Sequence, residues 1–312
     1  MPEKLAIVGA SVRAAAFSAL RAGFLPVCAD RFADLDLRRR VPVVQVDDYP
    51  DGLAEAILRE PVGGRSSPVV RAADRCASAS ARGRKPAARS SAWFFQKRVT
   101  GRSCSAVFAG DGNDAVLLGA TWQLVGMPWT GAGEFGYAVS LGPIELSRDL
   151  RSQWERIGEV LARRFGLVGL FGVDAVLDNE TLWPIEVNPR YTASLEVLER
   201  AFEIDAIRIH VDVCRGGRLP RRLGQAARAW CGKAILYARA DLSVPPAWAR
   251  FAEEAISARP WPELADVPAA GTRIRARSPV VTVLAKAAGE QAAHDLLRSR
   301  AAQVERRLYG SS

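Results

Sequence analysis

Histidine occurs only twice in the 312 residues, and no Ser/His/Asp nucleophile set can be assembled. His210 lies in an apolar helical stretch and reads as a packed residue; His294 reads as an exposed one. The five cysteines (28, 76, 104, 214 and 231) are odd in number, widely spaced and without a CxxC pair. That excludes a disulfide framework and a cysteine zinc site, and points to free thiols in a reducing cytoplasm. Nowhere do eighteen apolar residues follow one another, so no membrane span is expected. The apolar run Leu5 to Val8 is too short for a signal-peptide core, and no small-residue cleavage site follows it. Acids are nearly missing from residues 61–92, which carry six Arg and one Lys against Asp74 alone. That window supplies most of the formal charge of +9, and Arg outnumbers Lys 38 to 5 along the chain. Such a bias looks compositional, so a nucleic-acid partner is the weaker reading.

What is present is an ordinary globular balance, 49% hydrophobic and 25% charged, with length enough for more than one core. Residues 4–9 read as a buried strand ending in a glycine turn. A helix over Ala14–Ala22 follows, with Ser11 placed to cap it. Leu25–Asp30 and Val43–Val46 read as further strands, and a helix begins at Leu53. Strands alternating with helices predict a parallel sheet, a Rossmann-like lobe over residues 1–60. Gly9 opens like a dinucleotide loop and Asp30 stands where a ribose acid would, but Ser11 and Ala14 replace the second and third glycines. Periodicity then fails across 61–92, an irregular basic segment. It returns at Trp93, with strands over 93–97 and 105–109 and a hairpin returning through Ala115–Gly119. The spacing predicts a helix over 146–165, a hairpin turning at Asp178-Asn179-Glu180, and one long helix over 194–214. The C-terminal part alternates strands near 233–239 and 280–284 with a helix over 294–308.

The chemistry concentrates on that hairpin. Period-two alternation points Glu186 and Asn188 to one face and Val187 to the other. Asp174, on the paired strand, lies across from them if the turn falls near Asn179. Two carboxylates and a carboxamide oxygen make a hard-oxygen set suited to Mg²⁺ and phosphate. Arg190, two residues on, adds a forked cation for phosphate or carboxylate. The competing reading is a set of exposed hairpin charges, which sits awkwardly among Val173, Val176, Leu177, Ile185 and Val187.

At this point the sequence resembles the ATP-grasp superfamily of carboxylate–amine ligases. Asp174, with Glu186-x-Asn188 a dozen residues on and Arg190 after it, carries that likeness; Phe95-Gln96, Cys104–Phe108, Leu117–Gly119, Gln123–Gly126, Glu186–Arg190, Gly271–Ile274 and Ser278–Val283 carry a closer one. Within the superfamily the chain is similar to the predicted carboligases that include tyramine–glutamate ligase, found beside tetrahydromethanopterin and methanofuran genes. The resemblance implies Asp174, Glu186 and Asn188 as Mg²⁺ ligands and Arg190 as the catalytic cation. Gly172 stands where the D-alanine ligase branch carries an arginine, so Arg190 serves alone. It implies that ATP docks on a hinge strand at Gln96, Lys97, Arg98 and Val99, with Ser103, or the neighbouring Cys104, in place of the usual ribose acid. Gly9, Ser11 and Arg13 would form the rim of the substrate crevice, Arg13 steering a carboxylate.

The expected fold class is therefore α/β (α+β), in four parts. A Rossmann-like lobe (1–60) and the basic segment (61–92) precede an ATP-grasp domain (93–218) lacking most of its small lid lobe. A small β-rich cap (228–312) ends the chain. The expected function is an ATP- and Mg²⁺-dependent ligase joining a small-molecule carboxylate to an amine through an acyl phosphate, with a role in C1-carrier cofactor synthesis. A homodimer is left open. Two other readings stand beside it: a degenerate, non-catalytic member without its lid lysine, and a nucleic-acid-binding protein using residues 61–92.

Overall fold

A computed structural model of the chain describes residues 2–50, 52, 69–72, 98–220, 227–256 and 261–310. The N-terminal lobe begins with β1 (Lys4–Gly9), α1 (Arg13–Arg21), β2 (Leu25–Asp30), α2 (Leu35–Arg38), β3 (Val43–Gln45) and β4 (Val69–Ala72). The four strands form a parallel sheet in the order β3-β2-β1-β4. Leu5, Ile7, Ala15, Ala16 and Ala19 are wholly enclosed at the sheet–helix interface. Ser11 does not cap α1: the N-cap is Val12, whose N–H donates to Asp30 Oδ2 at 2.6 Å. Asp30 also accepts from the N–H groups of Phe32 (2.7 Å) and Ala33 (2.6 Å) and is buried. It is a clamp between two loops, with no face left for a ribose.

β4 lies inside the stretch that the sequence marks as irregular. Its backbone extends the sheet on β1, from Ala6↔Val69 to Gly9↔Ala72, so the lobe continues past residue 60. Four residues of strand leave too short a pattern to recognise. The expected helix from Leu53, the strand over 93–97 and the nucleotide-hinge residues Gln96 and Lys97 lie outside the described residues, as does the rest of 61–92.

The second sheet is larger. It is built from β5 (Arg102–Asp111), β6 (Ala115–Val125), β7 (Tyr137–Gly142), then, after α3 (Arg148–Phe165), β8 (Val168–Asp178) and β9 (Thr181–Asn188). Next come α4 (Ala193–Phe202), α5 (Ala206–Cys214), β10 (Trp230–Tyr237), β11 (Leu242–Ser243), α6 (Trp248–Ile256), β12 (Leu264–Ala265), β13 (Arg273–Ile274), β14 (Pro279–Ala287) and α7 (Glu290–Tyr309). Eight strands pair antiparallel in the order β12-β14-β10-β7-β6-β5-β8-β9. The strands assigned by sequence to a C-terminal cap thus continue the central sheet, β10 bonding directly to β7. The mixed α/β class is as expected.

Local chemistry explains the element ends. The Ser147 hydroxyl accepts the Leu150 N–H at the start of α3, and Gly166, at φ 60°, closes it. Inside, Trp154 is buried against Phe108, which stacks on Phe171 at 5.1 Å. Gly158 lets α3 lie on that ring, since a Cβ there would come within 2.5 Å of Phe108. The single helix expected over 194–214 is two. Glu203 turns left-handed at φ 54°, and the buried Glu199 carboxylate accepts the Ala206 N–H at 3.0 Å, starting α5 afresh. His210 is packed as expected, its Nδ1 accepting the Leu170 N–H at 3.0 Å. His294 is half-buried rather than exposed, edge-on to Trp129.

Candidate active site

The β8–β9 hairpin turns at Asn179, a left-handed residue at φ 53°, which sets the register Asp174↔Glu186 and Gly172↔Asn188. The ladder then slips, and Ala175 pairs with Pro184. Proline has no N–H to give the ladder, and a bulge at this point lets adjacent side chains turn to one side. Ile185 and Glu186 accordingly both line the same cavity, together with Asp174 and Asn188. Val187 is absent from that lining, as the alternation requires.

The cavity has a volume of about 740 Å³ and is also bounded by Ser103, Gln123, Val125, Phe135, Tyr137, Arg190, Thr192 and Ile235. Asn188 is buried and donates from Nδ2 to Asp174 Oδ2 at 3.2 Å. Its Oδ1 accepts from Arg190 Nη2 at 3.0 Å. Gln123 holds the other Asp174 oxygen, Nε2 to Oδ1 at 2.9 Å. Burial pushes the Asp174 carboxyl above the usual carboxylate range, the Gln123 hydrogen bond opposes this, and Glu186 adds to it. Glu186 is exposed to the cleft. Gly172 has a steric reason: a Cβ there would lie 2.6 Å from Thr192 Cγ2. No side chain fits opposite Asn188, and Arg190, beyond the end of β9, lines the cavity.

The other expected residues divide. Ser103 faces the cavity, whereas Cys104 points into the core, its Sγ 3.6 Å from the Ala175 carbonyl oxygen. Arg98 is exposed and Val99 half-buried, and neither lines the cavity. Gly9 is buried at the end of β1, and Ser11 lines a separate cavity of about 120 Å³. Arg13 does not reach a rim. It is 1% exposed and bound by Glu196 (Nη2–Oε2 2.9 Å) and Asp266 (Nε–Oδ1 3.0 Å). A guanidinium so enclosed is neutralised within the protein and cannot meet a substrate carboxylate.

Sequence reasoning missed Gln123, Tyr137 and the buried pair Glu196–Lys233 (2.7 Å). Gln123 had a signal: β6 runs six residues beyond the expected end at Gly119, and a lone amide among its apolar residues marks an inward polar site. Among the described residues, no three His, Cys, Asp or Glu side chains are grouped to hold a metal ion. The candidate set is two carboxylates completed by the Asn188 carboxamide.

Residues 42–194 match the family model described as the ATP-grasp domain. That stretch belongs to the ATP-grasp family. Similar curated proteins include the carbamoyl phosphate synthase large chains of Myxococcus xanthus (28% identity over 114 residues, 36% of this chain) and Neisseria gonorrhoeae (32% over 91 residues, 29%). These matches span only 10% and 8% of those relatives' own lengths. Among solved structures, the chain is similar to the L-amino acid ligase from Bacillus licheniformis, with TM-score 0.61 at 12% identity, over 95% of this chain and 96% of that one. It is also similar to phosphoribosylamine–glycine ligase from Thermotoga maritima, with TM-score 0.62 at 12% identity, over 96% of each chain. At such identity the likeness speaks for the fold.

Proposed function

We propose that this protein is an ATP-dependent carboxylate–amine ligase that works through an acyl phosphate, with Mg²⁺ held by Asp174, Glu186 and Asn188. The observation that carries the reading is the meeting of those three side chains, 3.2 Å apart at Asn188–Asp174, on one wall of a cleft of about 740 Å³. The donor set fits the ion: two carboxylates and a carboxamide oxygen, all hard, with Glu186 open to the cleft. Mg²⁺ bound there would neutralise charge on the phosphate oxygens.

In the proposed reaction a substrate carboxylate oxygen attacks the γ-phosphorus and ADP leaves. An amine nitrogen then attacks the acyl carbon, the C–O bond to phosphate breaks, and the amine gives up a proton. Arg190 orients the anionic groups with its fork, and Gln123 fixes the rotamer of Asp174. Ser103, on the cleft wall, meets the nucleotide, and Gln96 and Lys97 on the expected hinge strand complete its seat. The similarity to the tyramine–glutamate ligase group supports an amino acid such as glutamate as carboxylate donor, in synthesis of a C1 carrier.

Calorimetric titration of Mg²⁺-ATP, paired with an assay of amine-dependent ADP release, tests the reading. Wild-type protein is expected to bind and turn over, and Glu186→Gln and Asn188→Ala to lose both. Equal binding of Mg²⁺-ATP by wild type and Glu186→Gln sinks it.

A further inference from the structure

We propose that the smaller cavity beside the cleft is a pocket for a compact primary amine, taken as its ammonium ion by Asp34. Its part in turnover rests on the ligase reading; the binding itself does not. The cavity of about 120 Å³ is lined by Ser11, Phe32, Asp34, Ile235, Asp266 and Thr282 among others. It is a small fraction of the neighbouring cleft, about 120 against 740 Å³, a size that suits an ammonium group on a short chain rather than a nucleotide. Ile235 lines both this cavity and the large cleft, so a molecule seated here abuts the place where the acyl group is proposed to form.

The charge around the pocket selects a cation. Asp30, Asp34, Asp36, Asp266 and Glu196 cluster there against Arg13 and Lys233. Each acid but one is satisfied. Asp30 holds three backbone N–H groups, and Asp36 accepts those of Asp266 (3.0 Å) and Val267 (3.1 Å). Glu196 has Arg13 and Lys233. Asp266 has Arg13 and the Thr282 hydroxyl at 2.5 Å. Asp34 faces the cavity and, among the described residues, receives no hydrogen bond on its carboxylate. A half-buried carboxylate left without a donor is unfavourable, and an ammonium ion relieves it. Burial and the carboxylates of Asp266, Asp36 and Asp30 push its acid group up, which is consistent with a missing positive partner. The same field repels a second carboxylate. Phe32 and Ile235 form apolar walls, so an organic cation with a hydrocarbon chain suits the pocket better than an inorganic one.

The test is a calorimetric titration of the full chain at neutral pH with n-butylammonium chloride, with sodium butyrate and potassium chloride as competitors. Saturable binding is expected, weakened at least tenfold by Asp34→Asn. Ser11→Leu fills the pocket from a half-exposed loop and is expected to do the same, which guards against a folding defect in the first variant. Glu186→Gln is expected to leave butylammonium binding unchanged. If it does, and the wild type nevertheless shows no Mg²⁺-ATP binding, the ligase reading falls while the pocket stands. No saturable binding, binding unaffected by both pocket variants, or displacement by butyrate or potassium at equal concentration overturns the proposal.

Discussion

Arg13 and Glu196 lie 183 positions apart in the chain and are joined by a two-pronged buried ion pair, Nη2 donating to Oε2 at 2.9 Å and Nη1 to Oε1. Lys233 donates to the same Oε2 at 2.7 Å, so one carboxylate ties the N-terminal lobe, α4 and β10 together. Breaking a buried pair strands a charge, whereas replacing both partners leaves Lys233 and Asp266, whose opposite charges attract each other. Arg13→Ala is therefore expected to destabilise the fold by about 3–5 kcal/mol. Arg13→Met combined with Glu196→Leu should lose less than the two single changes together. Urea unfolding of Arg13→Ala, the two single changes and the double checks it, and additive losses would contradict the coupling.

His210 gives a pH dependence with a definite sign. Burial lowers its pKa to about 4, below its ordinary value near ~6.5, and its Nδ1 accepts the Leu170 N–H. A depressed folded-state value means full stability above pH ~6.5 and progressive loss as pH falls toward 4. The loss attributable to this residue is about 2–3 kcal/mol. Unfolding free energies at pH 7.5 and 4.5, for wild type and His210→Asn, measure it; equal slopes would rule the assignment out.

Gly158→Ala is expected to lower stability by about 1–3 kcal/mol, because the added methyl meets the Phe108 ring at 2.5 Å and the neighbouring core must shift. Thermal unfolding reads the change. Ligand binding by the folded fraction should be unaffected, since the contact lies on the sheet face away from the cleft.

Gln123→Leu removes the hydrogen bond that fixes Asp174. On the proposed function it should weaken Mg²⁺-dependent ATP binding by about 10–100-fold while leaving the fold intact. Titrating Mg²⁺ at fixed ATP separates this from a loss of nucleotide affinity, and an unchanged Mg²⁺ dependence would remove Gln123 from the site.

The hairpin that carries Asp174 and Glu186 was legible because its signals are local: alternation along each strand and an Asp-Asn-Glu turn between them. The bulge at Pro184 was not read, since it changes which neighbours share a face without disturbing the apolar pattern. Arg13 was misplaced for a different reason. A buried arginine is stable only with its partners, and Glu196 and Asp266 are far away in sequence, so nothing beside Arg13 announces its burial. The break at Glu203 escaped because the signal for a left-handed residue is normally glycine or asparagine. The union of β10 with β7 depends on pairing between distant segments, which periodicity within either strand does not encode.

That union has a consequence for anyone cutting the protein. β7 is an interior strand, bonded to β6 on one side and β10 on the other. A fragment ending near residue 228 would leave Tyr137–Gly142 as a bare border able to recruit other chains. It would also lose Ile235 from the wall between the two cavities. Expression of the front portion alone should give aggregates, and chimaeras with relatives should keep the final eighty or so residues with the strands they adjoin.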